Sequence, residues 1–130
     1  MTLGDAIYSL RAIRRHRPEP IPDDDITAIL DAAIQAPNGA NTVKGLAAAN
    51  SIIPSVQNLL LAARCLGIGS TITTLHPSVE ERVHALFEIP ETAQVVYCLP
   101  LGYPKGNFGP VTRQPLEKVS SRNRWGSTAS

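Results

Sequence analysis

An α+β domain is expected from this chain of 130 residues. Three observations lead there. Apolar residues recur at helical spacing through the first half of the chain. Between residues 70 and 101 a Thr/Ile-rich stretch, a helical pattern and a continuous apolar run follow one another, so that helices come first and strands later. The composition is 43% hydrophobic with only six aromatic residues, so the core has to be aliphatic. The length suits one domain with a core of its own.

Residues 3–10 hold Ala6, Ile7 and Leu10 on one stripe and predict a short helix. Pro18, Pro20 and Pro22 make the following segment an extended connector. Asp23, Asp24 and Asp25 offer an N-cap and negative charge in a first helical turn. Ile26, Ile29, Leu30, Ala33 and Ile34 follow at helical spacing, which predicts a helix near 24–35 ended by Pro37 and Gly39. Pro54 suits the opening of a helix near 54–66. Val56, Leu59, Leu60, Leu61, Ala63 and Leu66 make that helix apolar nearly all round, as a central buried helix would be, and Gly67 is its expected stop.

Strands are expected near 70–75 and 94–101. The second (QVVYCLPL) is apolar enough for burial on both faces. Between them a helix near 78–87 would bury Val79, Val83, Leu86 and Phe87. After Gly102 no period survives, and such a tail is expected to be disordered or to wrap a second subunit.

Charge narrows the function classes. A net charge of +1 argues against a nucleic-acid binder, and no apolar run is long enough to span a membrane. No basic-then-apolar leader pattern opens the sequence, and Cys65 and Cys98 both lie in apolar stretches. A cytoplasmic location with reduced, buried thiols is expected, and no spacing suggests a metal site. The distribution of charge is uneven. Arg11, Arg14, Arg15 and Arg17 form one acid-free end, and residues 105–124 hold Lys105, Arg113, Lys118, Arg122 and Arg124 against Glu117 alone. Two basic ends could converge on one anion, and a phosphate-bearing small molecule fits that better than a long polyanion.

Single motifs stay ambiguous by themselves. Arg11 and Arg14 could grip a phosphate through bidentate contacts or form a solvated turn. The segment Pro37, Asn38, Gly39, Ala40, Asn41 could offer amides to a ligand or simply end a helix. Gly67-Ile68-Gly69-Ser70 follows a helix, so it is no dinucleotide fingerprint. His16, His76 and His84 lack an obvious nucleophile or carboxylate partner and read as surface or structural.

The order of three stretches resembles the nitroreductase family of flavin oxidoreductases. RAIRRHRPEPIPDDDITAILDAAIQAPNGANT is similar to that family's opening, SIIPSVQNLLLAARCLGIGSTITT to its long central helix and flavin-side segment, and PLGYPKGNFGPVTRQPLEKV to its last strand and extension. The resemblance implies a nitroreductase-like, FMN-dependent α+β fold, and FMN with NAD(P)H as co-substrate. It implies a homodimer with flavin at the interface and a nitroaromatic, quinone or similar small-molecule acceptor. It carries the phosphate contacts to Arg11, Arg14 and Arg113, and counts Ala12 among the cofactor-binding residues. It carries contacts with the partner's flavin to Pro37, Asn38, Gly39 and Asn41. Backbone along the ring edge falls at Ile72, Thr73 and Thr74. No side chain need act as acid or base, because the cofactor does the chemistry.

The chain departs from the pattern in its middle. Asn41 is followed by Thr42-Val43-Lys44-Gly45 where the family continues into a central strand and further helices, so a family segment is missing near 42–43. Leu10 stands where many members carry an additional Arg, and Ala12 where many carry Ser. The sheet is therefore expected to be small. A non-catalytic truncated member, which binds flavin weakly or only dimerises, is the alternative function.

Overall fold

A computed structural model describes residues 1–37, 46–73 and 76–127, without the side chains of 46–49, 76 and 77. Helix α1 spans Leu3–Ser9. A capping box starts it: the Asp5 amide donates to Thr2 Oγ1 at 3.1 Å, and the Thr2 amide donates to the Asp5 carboxylate at 3.0 Å. The Thr2 hydroxyl, and after it the Thr2 amide, hold the Asp5 carboxyl below the usual carboxylate range. Of the expected stripe only Ala6 is buried, and Ile7 is exposed.

Helix α2 spans Asp23–Ile34 with Pro22 at its N-cap and no side-chain cap bond. The three aspartates lie inside the first turn, so they act on the helix dipole and not as caps. Ile29 and Ala33 are buried, whereas Leu30 and Ile34 are exposed.

Helix α3 runs Leu46–Cys65, eight residues earlier than Pro54 suggests. Proline removes a single bond, the one its N–H would make to the carbonyl of residue 50, and the alanine-rich turn ahead keeps the helix intact. The helix is central but not buried all round: Val56, Leu60, Ala63 and Arg64 are covered, and Ile52, Ile53 and Cys65 are exposed. The expected burial of Cys65 therefore fails, and Cys98 is only half-buried. Asn58 Nδ2 donates to the Ala32 carbonyl at 3.2 Å and ties α3 to α2.

The end of α3 is a Schellman motif. The Gly67 amide donates to the Arg64 carbonyl at 3.1 Å and the Ile68 amide to the Ala63 carbonyl at 2.9 Å. Gly67 takes φ +77°, as such a stop requires. The motif delivers Ile68 onto Ile29 and Ala63, with Ile21, Leu59, Leu101 and Tyr103 around them.

Strand β1 (Gly69–Ser70) pairs antiparallel with β2 (Leu101–Gly102). Thr73 bridges Cys98 in the same register. The two expected strands thus meet but form one interrupted ladder of two-residue strands. Pro100, which falls opposite Thr71, has no N–H to continue it. Residues 95–99 are half-buried, not covered on both faces, because no further strand flanks the pair among the described residues.

The arginine segment lies across this ladder. The Ile13 amide donates to the Ser70 carbonyl at 2.9 Å, the Arg17 amide to the Tyr103 carbonyl at 2.7 Å, and the Lys105 amide to the Arg15 carbonyl at 3.0 Å. Two glycines permit the approach. A Cβ on Gly69 would stand 2.7 Å from Ile13 Cγ2, and one on Gly102 2.7 Å from His16 Cβ. His16 is thereby a structural residue, half-buried under the ladder.

A 3-10 turn (His76–Val79) leads into α4 (Glu80–Phe87). Among the described residues α4 buries none of its own: Leu86 and Phe87 are exposed, contrary to the expected stripe, because its main packing partner is the turn before it. The tail does not leave the chain's own body at once. Residues 103–111 pack on the N-terminal segment, and only beyond them do the short α5 (Leu116–Val119) and Trp125 stand exposed.

Among the described residues no helix is long and apolar enough to cross a membrane.

Candidate functional site

The basic ends meet. A cleft of about 320 Å³ is lined by Arg11, Ala12 and Arg14 from the turn after α1, by Ser70, Thr71 and Ile72 running out of β1, and by Arg113 from the tail, with Leu10 and Leu60 closing it. That volume is at the small end of ligand sites, about 300–1,000 Å³. Among the described residues no carboxylate lines it.

Local structure explains the convergence. The Ile13 amide, held by the Ser70 carbonyl, fixes the turn against β1, so Arg11 and Arg14 flank the strand's end. The Val111 amide donates to the Tyr8 carbonyl at 3.3 Å and returns the tail to the same place two residues before Arg113. Arg11, Arg14 and Arg113 are exposed, and Arg113 Nη1 donates to the adjacent Thr112 carbonyl at 2.9 Å. Arg11 and Arg14 also line a second cleft of about 230 Å³ with Arg15, Gly106 and Asn107, so the turn is cationic on both sides.

Ser70 is 5% exposed, and its hydroxyl is buried without a hydrogen-bond partner. Three arginines lining one cleft make a donor set suited to an anion, and phosphate oxygens match guanidinium donors.

Of the expected ring-edge residues, Ile72 lines the cleft. Thr73 does not, and its amide is engaged by the Cys98 carbonyl at 3.0 Å. Thr74, Asn38, Gly39 and Asn41 lie outside the described residues, and Pro37 is exposed. The sequence reading did not single out Leu10, Leu60, Ser70 and Thr71 as ligand-facing. The Gly67 stop, which aims the chain directly into β1, was the signal available for Ser70 and Thr71. Among the described residues no group of three His, Cys, Asp or Glu could hold a metal ion.

Comparison with known proteins gives concordant results. The model of the nitroreductase family matches residues 43–103. A candidate NADH dehydrogenase/NAD(P)H nitroreductase of Archaeoglobus fulgidus is 32% identical over 146 residues, covering 76% of this chain and 83% of the relative. That alignment is longer than the chain's own 130 residues. A candidate nitroreductase of Desulfovibrio desulfuricans, solved in complex with FMN, superposes with a TM-score of 0.80 at 18% identity, over 95% of this chain and 97% of that one. The NADPH:FMN oxidoreductase of Vibrio harveyi, complexed with NAD+, superposes with a TM-score of 0.81 at 19% identity, over 98% of this chain and 79% of that one. At these identities the solved structures speak for the fold alone.

Proposed function

The chain belongs to the nitroreductase family, and on that premise we propose that it is a cytoplasmic FMN-dependent oxidoreductase that passes hydride from NAD(P)H to a small acceptor of the nitroaromatic or quinone class. One observation carries the reading: Arg11, Arg14 and Arg113, from opposite ends of the chain, line one cleft that has Ser70 in its wall and, among the described residues, no carboxylate. The three arginines would hold the FMN phosphate, with Ser70 as a further donor, and the Thr71–Ile72 backbone would lie toward the ring. When bound, FMN supplies the two-electron carrier between NAD(P)H and acceptor.

The chain's own residues bind and orient. Leu10, Arg11, Ala12 and Arg14 wall the phosphate end, and Leu60 with Ile72 gives the other side an apolar lining. The working form is a homodimer with flavin at its interface. Exposed Leu3, Ile7 and Tyr8 on α1, Leu30 and Ile34 on α2, and Ile52 and Ile53 on α3 support this. Asn38, Gly39 and Asn41 would then reach the partner's flavin.

A second reading has its own support. A family segment is absent near residues 42–43, consistent with an alignment longer than the chain and a sheet of two short strands among the described residues. On that reading the protein binds flavin weakly, or only dimerises, and does not turn over. Steady-state NAD(P)H oxidation with added FMN and a quinone separates the two. Turnover supports the oxidoreductase, and flavin binding without turnover supports the non-catalytic form.

A further inference from the structure

We propose that Arg64 is a positioning residue for the arginine cleft, joining the two chain ends that supply Arg11 and Arg113. The proposal rests on reading that cleft as the FMN phosphate site. Arg64 lies in the last turn of α3 and is only 8% exposed. Arginine is seldom buried without a paired charge. Here neither ion pair found among the described residues involves it.

What holds it instead is a hydroxyl and a ring. Nε donates to Ser9 Oγ at 3.1 Å, and the guanidinium carbon stands 3.8 Å over the centre of the Phe108 ring. Asp5 contributes a weaker, longer-range attraction. A desolvated guanidinium stacked on an aromatic face is a strong contact of its kind.

The two partners belong to the two basic ends. Ser9 precedes Arg11 by two residues, and Phe108 precedes Arg113 by five. Gly109, next to Phe108, also runs close to Arg11: a Cβ there would lie 3.5 Å from Arg11 Nη1. Between Tyr103, which packs on the core, and Phe108, the residues Lys105, Gly106 and Asn107 are exposed, so Phe108 is the next large apolar anchor of the segment. One buried guanidinium therefore adds a side-chain tie between the end of α1 and the start of the tail, beside the Val111–Tyr8 and Lys105–Arg15 backbone bonds. The backbone bonds bring Arg11 and Arg113 to the same space, and the Arg64 tie holds them there. The side chain of Arg64 does not itself line the cleft.

Titrating the full chain with FMN and with riboflavin, for Arg64→Ala, Phe108→Leu, Arg113→Ala and the Arg64→Ala/Arg113→Ala pair, tests this. Losing a desolvated cation–π stack should weaken FMN about tenfold and leave riboflavin nearly unchanged. With Arg113 already removed, the effect of Arg64→Ala should fall below about threefold, because coupled positions are not additive. Phe108→Leu keeps apolar bulk but loses the ring, and it should reproduce the selective loss of FMN. It decides the question if Arg64→Ala does not fold. Equal loss of FMN and riboflavin, or the same effect with and without Arg113, overturns the positioning role while a selective Arg113→Ala effect leaves the phosphate reading standing. If Arg113→Ala itself does not distinguish FMN from riboflavin, the phosphate reading fails and this role fails with it.

Discussion

Replacing Arg113 by Ala removes one of the three cations in the cleft and nothing from the core, since residues 112–119 are exposed. Arg113 commits one Nη1–H to the Thr112 carbonyl, which leaves its other N–H groups for a ligand. A hydrogen bond to a charged group contributes about 1.5–3 kcal/mol. At about 1.4 kcal/mol per factor of ten, FMN should bind about 10- to 100-fold more weakly. The side chain is solvent-exposed, so screening places the effect toward the lower end of that span. Riboflavin lacks the phosphate and should be nearly indifferent. Flavin fluorescence quenching, titrated in parallel with both ligands, reads the difference. Equal weakening of the two would mean that Arg113 acts on folding or assembly, and the phosphate assignment would be wrong.

Two further outcomes follow from the backbone and from the first helix. Gly102→Ala would force a Cβ to within 2.7 Å of His16 Cβ, an atom too close to the main chain to swing away, whereas a Cβ on Gly106 meets nothing within 4 Å. The first change should cost about 1–3 kcal/mol in a urea titration and weaken FMN along with it, while Gly106→Ala should be close to neutral. Asp5 has a lowered carboxyl pKa in the folded chain, so the capping box adds stability above the ordinary carboxylate pKa, and that stability is lost as pH falls through the lowered value. Thr2→Ala should flatten this part of the stability profile between about pH 6 and pH 2, measured by urea unfolding at each pH. An unchanged profile would remove the capping box from the account.

The sequence carried the helices well where their own pattern decided the outcome. Ile29 and Ala33 on α2 and Val56, Leu60 and Ala63 on α3 are buried at the positions their spacing indicates. Elsewhere local signals lost to context. Pro54 reads as a helix start but sits inside α3, because an alanine-rich turn precedes it. The apolar run 94–101 reads as a fully buried strand, yet Pro100 interrupts its ladder and the pair has no described neighbour on either side. Val79, Leu86 and Phe87 have the periodicity of a buried face and are exposed, since periodicity cannot say whether another element is there to cover it. At the site, the clustering of arginines at two acid-poor ends was readable because charge distribution survives in one dimension. Ser70 and Leu60 were not, since only the Schellman stop and the crossing of β1 by the arginine turn bring them to the cleft. Arg64 gave no sign at all, because its meaning lies in Ser9 and Phe108, far from it in sequence.

The most direct test of the account is the visible absorbance spectrum of the purified chain, saturated with FMN, passed through gel filtration and then mixed anaerobically with NAD(P)H. The account predicts that flavin co-elutes at about one per chain with a dimer and that its absorbance bleaches when NAD(P)H is added. A chain that elutes free of flavin after saturation would contradict the central claim. Retained flavin that NAD(P)H does not bleach would contradict the catalytic reading and leave the binding site standing.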